Sequence, residues 1–171
     1  DAGFIQLTSA DFLQKGSALV YSPLDPLAFL NFDATFFLRI TTPHGHAGES
    51  LSFCAGDLAS PVPSHGLLNA ICVTVVMQPT LSAVRLEHKG LLIAESPVPH
   101  AVDKWLRLDV TLADRNASVL YDGHSVLDRI HCAGWDPSEG LEVGFSARTG
   151  QERASRHWVD GVRITAGAFV V

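Results

Sequence analysis

The chain is poor in most of the features that would assign it quickly. Three cysteines, Cys54, Cys72 and Cys132, allow at most one internal disulfide. A domain of 171 residues buries about 70% of the surface its unfolded chain exposes, so it needs no covalent or metal staples to fold. Charged residues make up only 18%, and the net charge is −6, which excludes the basic surface of a nucleic-acid backbone binder. No apolar run reaches the ~18 residues of a membrane span. No segment carries a long apolar stripe of period 3.6; Ser9–Gln14 has room for a single turn. Acidic residues at even spacing, as in the E-x-D-x-x-E strand of a sandwich-fold glycosidase, do not occur. Glu139 and Glu142 lie three apart and point to opposite faces of a strand. No nucleophile elbow is present. The sequence is therefore not expected to encode an enzyme, and no cofactor is expected.

What the chain does hold is apolar residues, 47% of the total, which excludes a disordered segment. Their period is mostly two. Phe32, Ala34, Phe36, Leu38 and Ile40 share one face of a strand, and Leu106, Leu108, Val110 and Leu112 share one face of another. Asn69–Met77 is apolar except at Thr74, as in a strand buried on both sides. Shorter strands are expected at Val84–Glu87, Leu91–Ala94, Leu141–Ala147 and Val162–Thr165. Prolines fall in the connections, at Pro23–Pro26, Pro61–Pro63 and Pro97–Pro99. Many short strands with turn residues between them predict an all-β sandwich or barrel. Without repeats or linkers, residues 1–171 form one expected domain. The start at Asp1 suggests a mature segment or part of a longer extracellular protein.

The octet Val143-Gly144-Phe145-Ser146-Ala147-Arg148-Thr149-Gly150 resembles V-G-F-S-A-x-T-G of the legume and animal L-type lectins. The resemblance extends along the chain in family order. His157–Ile164 is similar to the last strand, H-x-V-x-x-W-x-F, and the pair Trp105 and Tyr121-Asp122 to a W…Y-D hairpin. Ser60–Asn69 is similar to the loop leading to G-L-F-N, and Gly48–Phe53 to A-D-G-L-A-F. Ile5–Thr8, Gly16–Tyr21 and Phe32–Phe36 resemble the opening strands. This implies a concanavalin A-like jelly roll, a sandwich of two antiparallel sheets whose loops carry a sugar site at one rim. A laminin-G-like sandwich shares the Trp105…Tyr121-Asp122-Gly123 pattern and is the alternative.

Matched position by position, the resemblance implies a carbohydrate site of Glu49 in place of the family's Asp, the Gly66 amide, and Thr149, Gly150, Gln151 and Glu152. A carboxylate at Glu49 can accept two sugar hydroxyls. The stretch matching the family's calcium loop is Val73–Thr80, which contains no carboxylate, so no calcium is expected there. The resemblance also places Cys54 and Cys72 on neighbouring strands, close enough to bridge in an oxidising compartment; otherwise all three cysteines are buried thiols. Asn116-Ala117-Ser118 is a glycosylation sequon between two strand-like runs. Together these suggest a secreted or lumenal protein whose partner is a glycan or glycoprotein. The alternative is a structural or protein-interaction domain of an extracellular protein that has lost sugar binding.

Other features have plainer readings. His44, His46 and Glu49 can hold a metal, but fit a solvated loop better. Asp122-Gly123-His124 reads as a hairpin turn, and Glu87-His88 as a solvated strand end. Of the three tryptophans, Trp135 is expected in an exposed loop and Trp105 in the core.

Overall fold

The computed structural model describes residues 3–11, 13–24, 31–41, 50–58, 69–78, 80–136, 141–150 and 155–166. Among them are twelve strands and no helix: β1 (Ile5–Thr8), β2 (Lys15–Leu24), β3 (Phe32–Thr41), β4 (Ser50–Asp57), β5 (Asn69–Met77), β6 (Ser82–His88), β7 (Leu91–Pro97), β8 (Leu106–Ala113), β9 (Asn116–Tyr121), β10 (His124–His131), β11 (Leu141–Arg148) and β12 (Arg156–Ala166). They form two six-stranded antiparallel sheets, β1-β12-β3-β8-β9-β10 and β2-β11-β4-β5-β6-β7. The expected all-β sandwich is the fold.

The period-two pattern explains which side of each strand is buried. In β3, Phe32, Ala34, Phe36, Leu38 and Ile40 are buried, with Asp33 and Phe37 facing out. From the second sheet Phe53 and Phe145 meet Phe36, with ring centroids 5.3 and 4.9 Å away. Burying a side chain of this size contributes about 1.5–3 kcal/mol by transfer alone, so these three rings anchor the sheets to each other. As expected, β5 is buried on both faces. Ile71, Val73, Val75 and Met77 join the central core. On the other face Ala70 and Cys72 join Cys54 and Leu58 in a second small cluster.

Tight turns connect the hairpins. Both central residues have positive φ at Lys89-Gly90, Asp114-Arg115 and Asp122-Gly123, the geometry whose twist matches that of paired strands. His88, expected on a solvated strand end, is only 7% exposed because its ring packs edge-on against Trp135. At Gly16 the chain allows no side chain, since a Cβ there would lie 1.5 Å from the carbonyl oxygen of Leu7. Strand β2 can pass this close to β1 only with glycine.

Candidate functional site

Register brings several segments to one end of the second sheet. Ser50, which opens β4, lies opposite Val76 near the end of β5 and opposite Arg148 at the end of β11. Arg148 in turn faces Lys15, the first residue of β2. The β1–β2, β5–β6 and β11–β12 connections therefore meet at this rim. Of the sequence candidates, Thr149 and Gly150 lie here. Glu49, Gly66, Gln151 and Glu152 fall outside the described residues, as do His44 and His46.

Thr149 is 3% exposed, and its hydrogen-bonding groups face into the protein. Its hydroxyl donates to the Asp11 carbonyl at 2.7 Å and accepts from the Gln14 amide at 2.8 Å. Its own amide donates to the Gln14 carbonyl, and the Leu13 amide donates to the Gly150 carbonyl. The Ser9–Gln14 connection is folded around these bonds. The Gln14 carboxamide oxygen accepts from the Ser9 amide and hydroxyl, and the Ser9 hydroxyl also reaches Asp11. The clamp holds Leu13 at φ 56, a conformation costly for a residue with a Cβ, and leaves its side chain 66% exposed. Thr149 and Gly150 thus fix the base of the rim. Pattern matching named Thr149 and missed Asp11 and Gln14, which bond to it from more than 130 residues away, and Ser9, which bonds to both of them.

The β5–β6 connection is a closed hairpin. The Gln78 amide donates to the Leu81 carbonyl at 2.7 Å and the Leu81 amide returns a bond to Gln78 at 3.2 Å. A turn this tight supplies no chain for a set of cation ligands. Among the described residues no group of three His, Cys, Asp or Glu side chains could hold a metal ion.

The outward face of the second sheet below the rim is polar. Ser17, Ser146, Ser52, Thr74, Arg85 and Glu95 stand in one register row across all six strands. Within it the Ser52 and Thr74 hydroxyls bond at 2.9 Å, and Arg85 pairs with Glu95. In the next row Cys54 faces Cys72, their Cα atoms 4.2 Å apart, and a disulfide joins them. Cys132 is a buried free thiol.

Beneath the rim lies His157, fully buried on β12. Thr8 has one hydroxyl proton, which goes to the Ser155 carbonyl at 2.9 Å, so at 2.7 Å the His157 Nδ1–H must donate to Thr8 Oγ1. The ring is then neutral, with Nε2 buried and unpartnered. Burial lowers its pKa to about 4, against a smaller opposing effect of the Ser155 backbone.

The tryptophans reverse the sequence expectation. Trp135 is fully buried. The turn at Gly134, with φ 72, lets its amide bond back to the Cys132 carbonyl and folds the indole against His88. Trp105 is 39% exposed because Leu106, the next residue, points inward. Trp158 is half-buried beneath Arg39, whose guanidinium carbon is 5.3 Å from the ring centroid. Asn116 opens β9 just after the Asp114-Arg115 turn, half-buried, its carboxamide donating to the Asp114 carbonyl.

Neither a family sequence model nor a curated protein sequence matches the chain. Solved structures do match in shape. Lectin II from Ulex europaeus aligns with a TM-score of 0.78 at 16% identity, covering 97% of this chain and 88% of that one. The metal-free form of lectin I-B4 from Griffonia simplicifolia aligns at 0.76 with 16% identity, covering 98% and 89%. The Emp47p carbohydrate recognition domain aligns at 0.71 with 17% identity, covering 97% and 84%. The two six-stranded antiparallel sheets of this chain are the jelly-roll fold of the legume and L-type lectins.

Proposed function

We propose that the chain is a lectin-like carbohydrate-binding module with a reduced rim site that works without a metal ion or other cofactor and catalyses no reaction. The observation that carries this reading is the closed Gln78–Leu81 hairpin. The lectin fold is present, while the connection matching the family's calcium loop is cut to a turn. The binding groups then come from the flanking connections: the Glu49 carboxylate, the Gly66 amide, and Gln151 and Glu152 beyond the Thr149-Gly150 clamp. Clamping the base of such a loop lowers the ordering cost of binding a small polar ligand. The ligand is a glycan, free or on a glycoprotein. The Cys54–Cys72 bridge and the Asn116 sequon favour a secreted or lumenal setting.

A glycan array run with and without chelator tests the reading. It expects hits that EDTA does not remove. Titration calorimetry on the best hit should show more than tenfold weaker binding for Glu49→Ala and retained or tighter binding for Glu49→Asp. An array without hits, or Glu49→Ala at unchanged affinity, removes the site. A second reading, a protein-interaction domain that has lost sugar binding, is favoured by the exposed aliphatic residues of β7.

A further inference from the structure

The outward face of the first sheet carries an arginine set among aromatic rings. Trp158 on β12 stands opposite Arg39 on β3. The Arg39 guanidinium lies over the indole at 5.3 Å, and Phe4 meets the same indole edge-on at 6.0 Å. The stack pins a side chain that would otherwise sample many rotamers. Arg39 Nε and Trp158 Nε1 are buried without acceptors, whereas the terminal nitrogens of Arg39 reach the surface. Among the described residues no carboxylate meets them. A planar fork held in this way fits a carboxylate through two parallel hydrogen bonds.

Trp105 lies one position beyond the Leu38–Leu106 pair, which sets it beside Arg39 on the side away from Trp158. Phe37 precedes Arg39 by two residues on the same face, and its ring lies over Gly161, where a Cβ would come within 3.0 Å. Trp105 and Phe37 are 39% and 40% exposed. Strands about 4.8 Å apart and a two-residue repeat of about 7 Å put Arg39, Trp105 and Phe37 within the footprint of one sugar ring. Arg156, opposite Thr41, and Lys104, next to Trp105, add exposed positive charge. Against them stand Asp103 and Asp160, and the Asp160 carboxylate already takes the Gly161 amide. Further down the face the polar groups are bonded to one another: Thr35 to Asp109, Thr111 to Asp33 and Arg107 to Asp109. The open groups therefore make a patch of ligand size, well short of the roughly 800 Å² that a protein partner covers.

We propose that this face is a second binding site, for a carboxylate-bearing pyranose such as a hexuronic acid. The apolar side of the ring lies on Trp105 and Phe37, and its carboxylate is held by the Arg39 fork. The site is on the opposite sheet from the rim and does not rest on the rim reading.

An NMR titration of the whole chain with methyl glucuronide tests this, with methyl glucoside as the uncharged twin and acetate as the bare carboxylate. It expects shifts at the Arg39 and Trp105 side chains with glucuronide, and at least about tenfold weaker binding of both glucoside and acetate. Arg39→Gln and Trp105→Ala should each weaken glucuronide binding about tenfold, and Arg39→Lys, which keeps the charge without the fork, should not restore it. Thermal melting checks that each variant is folded. If Arg39→Gln does not fold, Trp105→Ala, which removes an exposed ring, carries the test. No shifts at this face up to about 50 mM overturn the proposal. So do glucoside binding as tightly as glucuronide, or affinity indifferent to the variants. Acetate as tight as glucuronide means an adventitious ion only, which overturns the sugar site. Glucuronide shifts confined to Thr149 and Gly150 overturn it as well while supporting the rim, so the two readings fail separately.

Discussion

The two edges of the second sheet are built on opposite plans. At the β2 edge the chain closes on itself: Gly16 lies against the Leu7 carbonyl, and the Ser9–Gln14 connection is bonded to Thr149-Gly150 by both backbone and side chain. At the β7 edge β10 of the first sheet runs close by, but no comparable clamp of hydrogen bonds occurs among the described residues, and Leu91, Leu92 and Ile93 are exposed. Edge polar groups must be satisfied somewhere. One edge satisfies them with its own chain and so serves as scaffold, while the other stands exposed, where water can satisfy them. Mutations should therefore differ sharply in cost, those at the β2 edge destabilising the fold far more than those at the exposed β7 edge.

The largest break should come from Gly16→Ala. Its Cβ cannot coexist with the Leu7 carbonyl, so β1 must move, and chemical denaturation should show a loss of about 3 kcal/mol or more. Acid comes next. His157 titrates near 4 when folded and near 6.5 when unfolded, so between those values the unfolded chain binds more protons. Its contribution is complete above pH 6.5 and is lost as the pH falls towards 4, in total about 3 kcal/mol. His88, also lowered by burial, acts in the same direction. Denaturation midpoints measured across this range should fall with pH, and His157→Gln should flatten the slope. Thr149→Val leaves the Gln14 amide and Asp11 carbonyl without their hydroxyl partner and should cost about 2 kcal/mol. Leu92→Ser, on the open edge, should change monomer stability by less than about 0.5 kcal/mol. A large loss there would erase the contrast between the edges.

How far these plans were legible depended on the range of the interaction. Alternation over a few residues fixed the inward faces of β3 and β8, and hence the sandwich. The lack of carboxylates in Val73–Thr80 spoke only to calcium; the closed Gln78–Leu81 turn is seen in the backbone bonds. Trp105 was misjudged although its own neighbour, Leu106, sets it outward. Trp135 could not be placed by local rules, since its burial depends on the turn at Gly134 carrying it back to His88 on another sheet. The clamp at Thr149 was equally hidden. A threonine and a glutamine 135 positions apart carry no mutual signal until β2 and β11 pair. The family resemblance pointed to Thr149 as a ligand contact; its bonds to Asp11 and Gln14, which the fold shows, are not part of that pattern.

The Cys54–Cys72 bridge has one more consequence. It makes a covalent ring of the segment between the two cysteines, a separation of 18 residues that includes Gly66 and the Pro61–Pro63 run. A protease that cuts inside the ring opens a backbone without releasing a fragment. The nicked protein keeps its intact mass, plus one water, until a reductant separates it into two chains. Digestion followed by gels run with and without reductant would thus show whether this ring is reached by enzymes in solution.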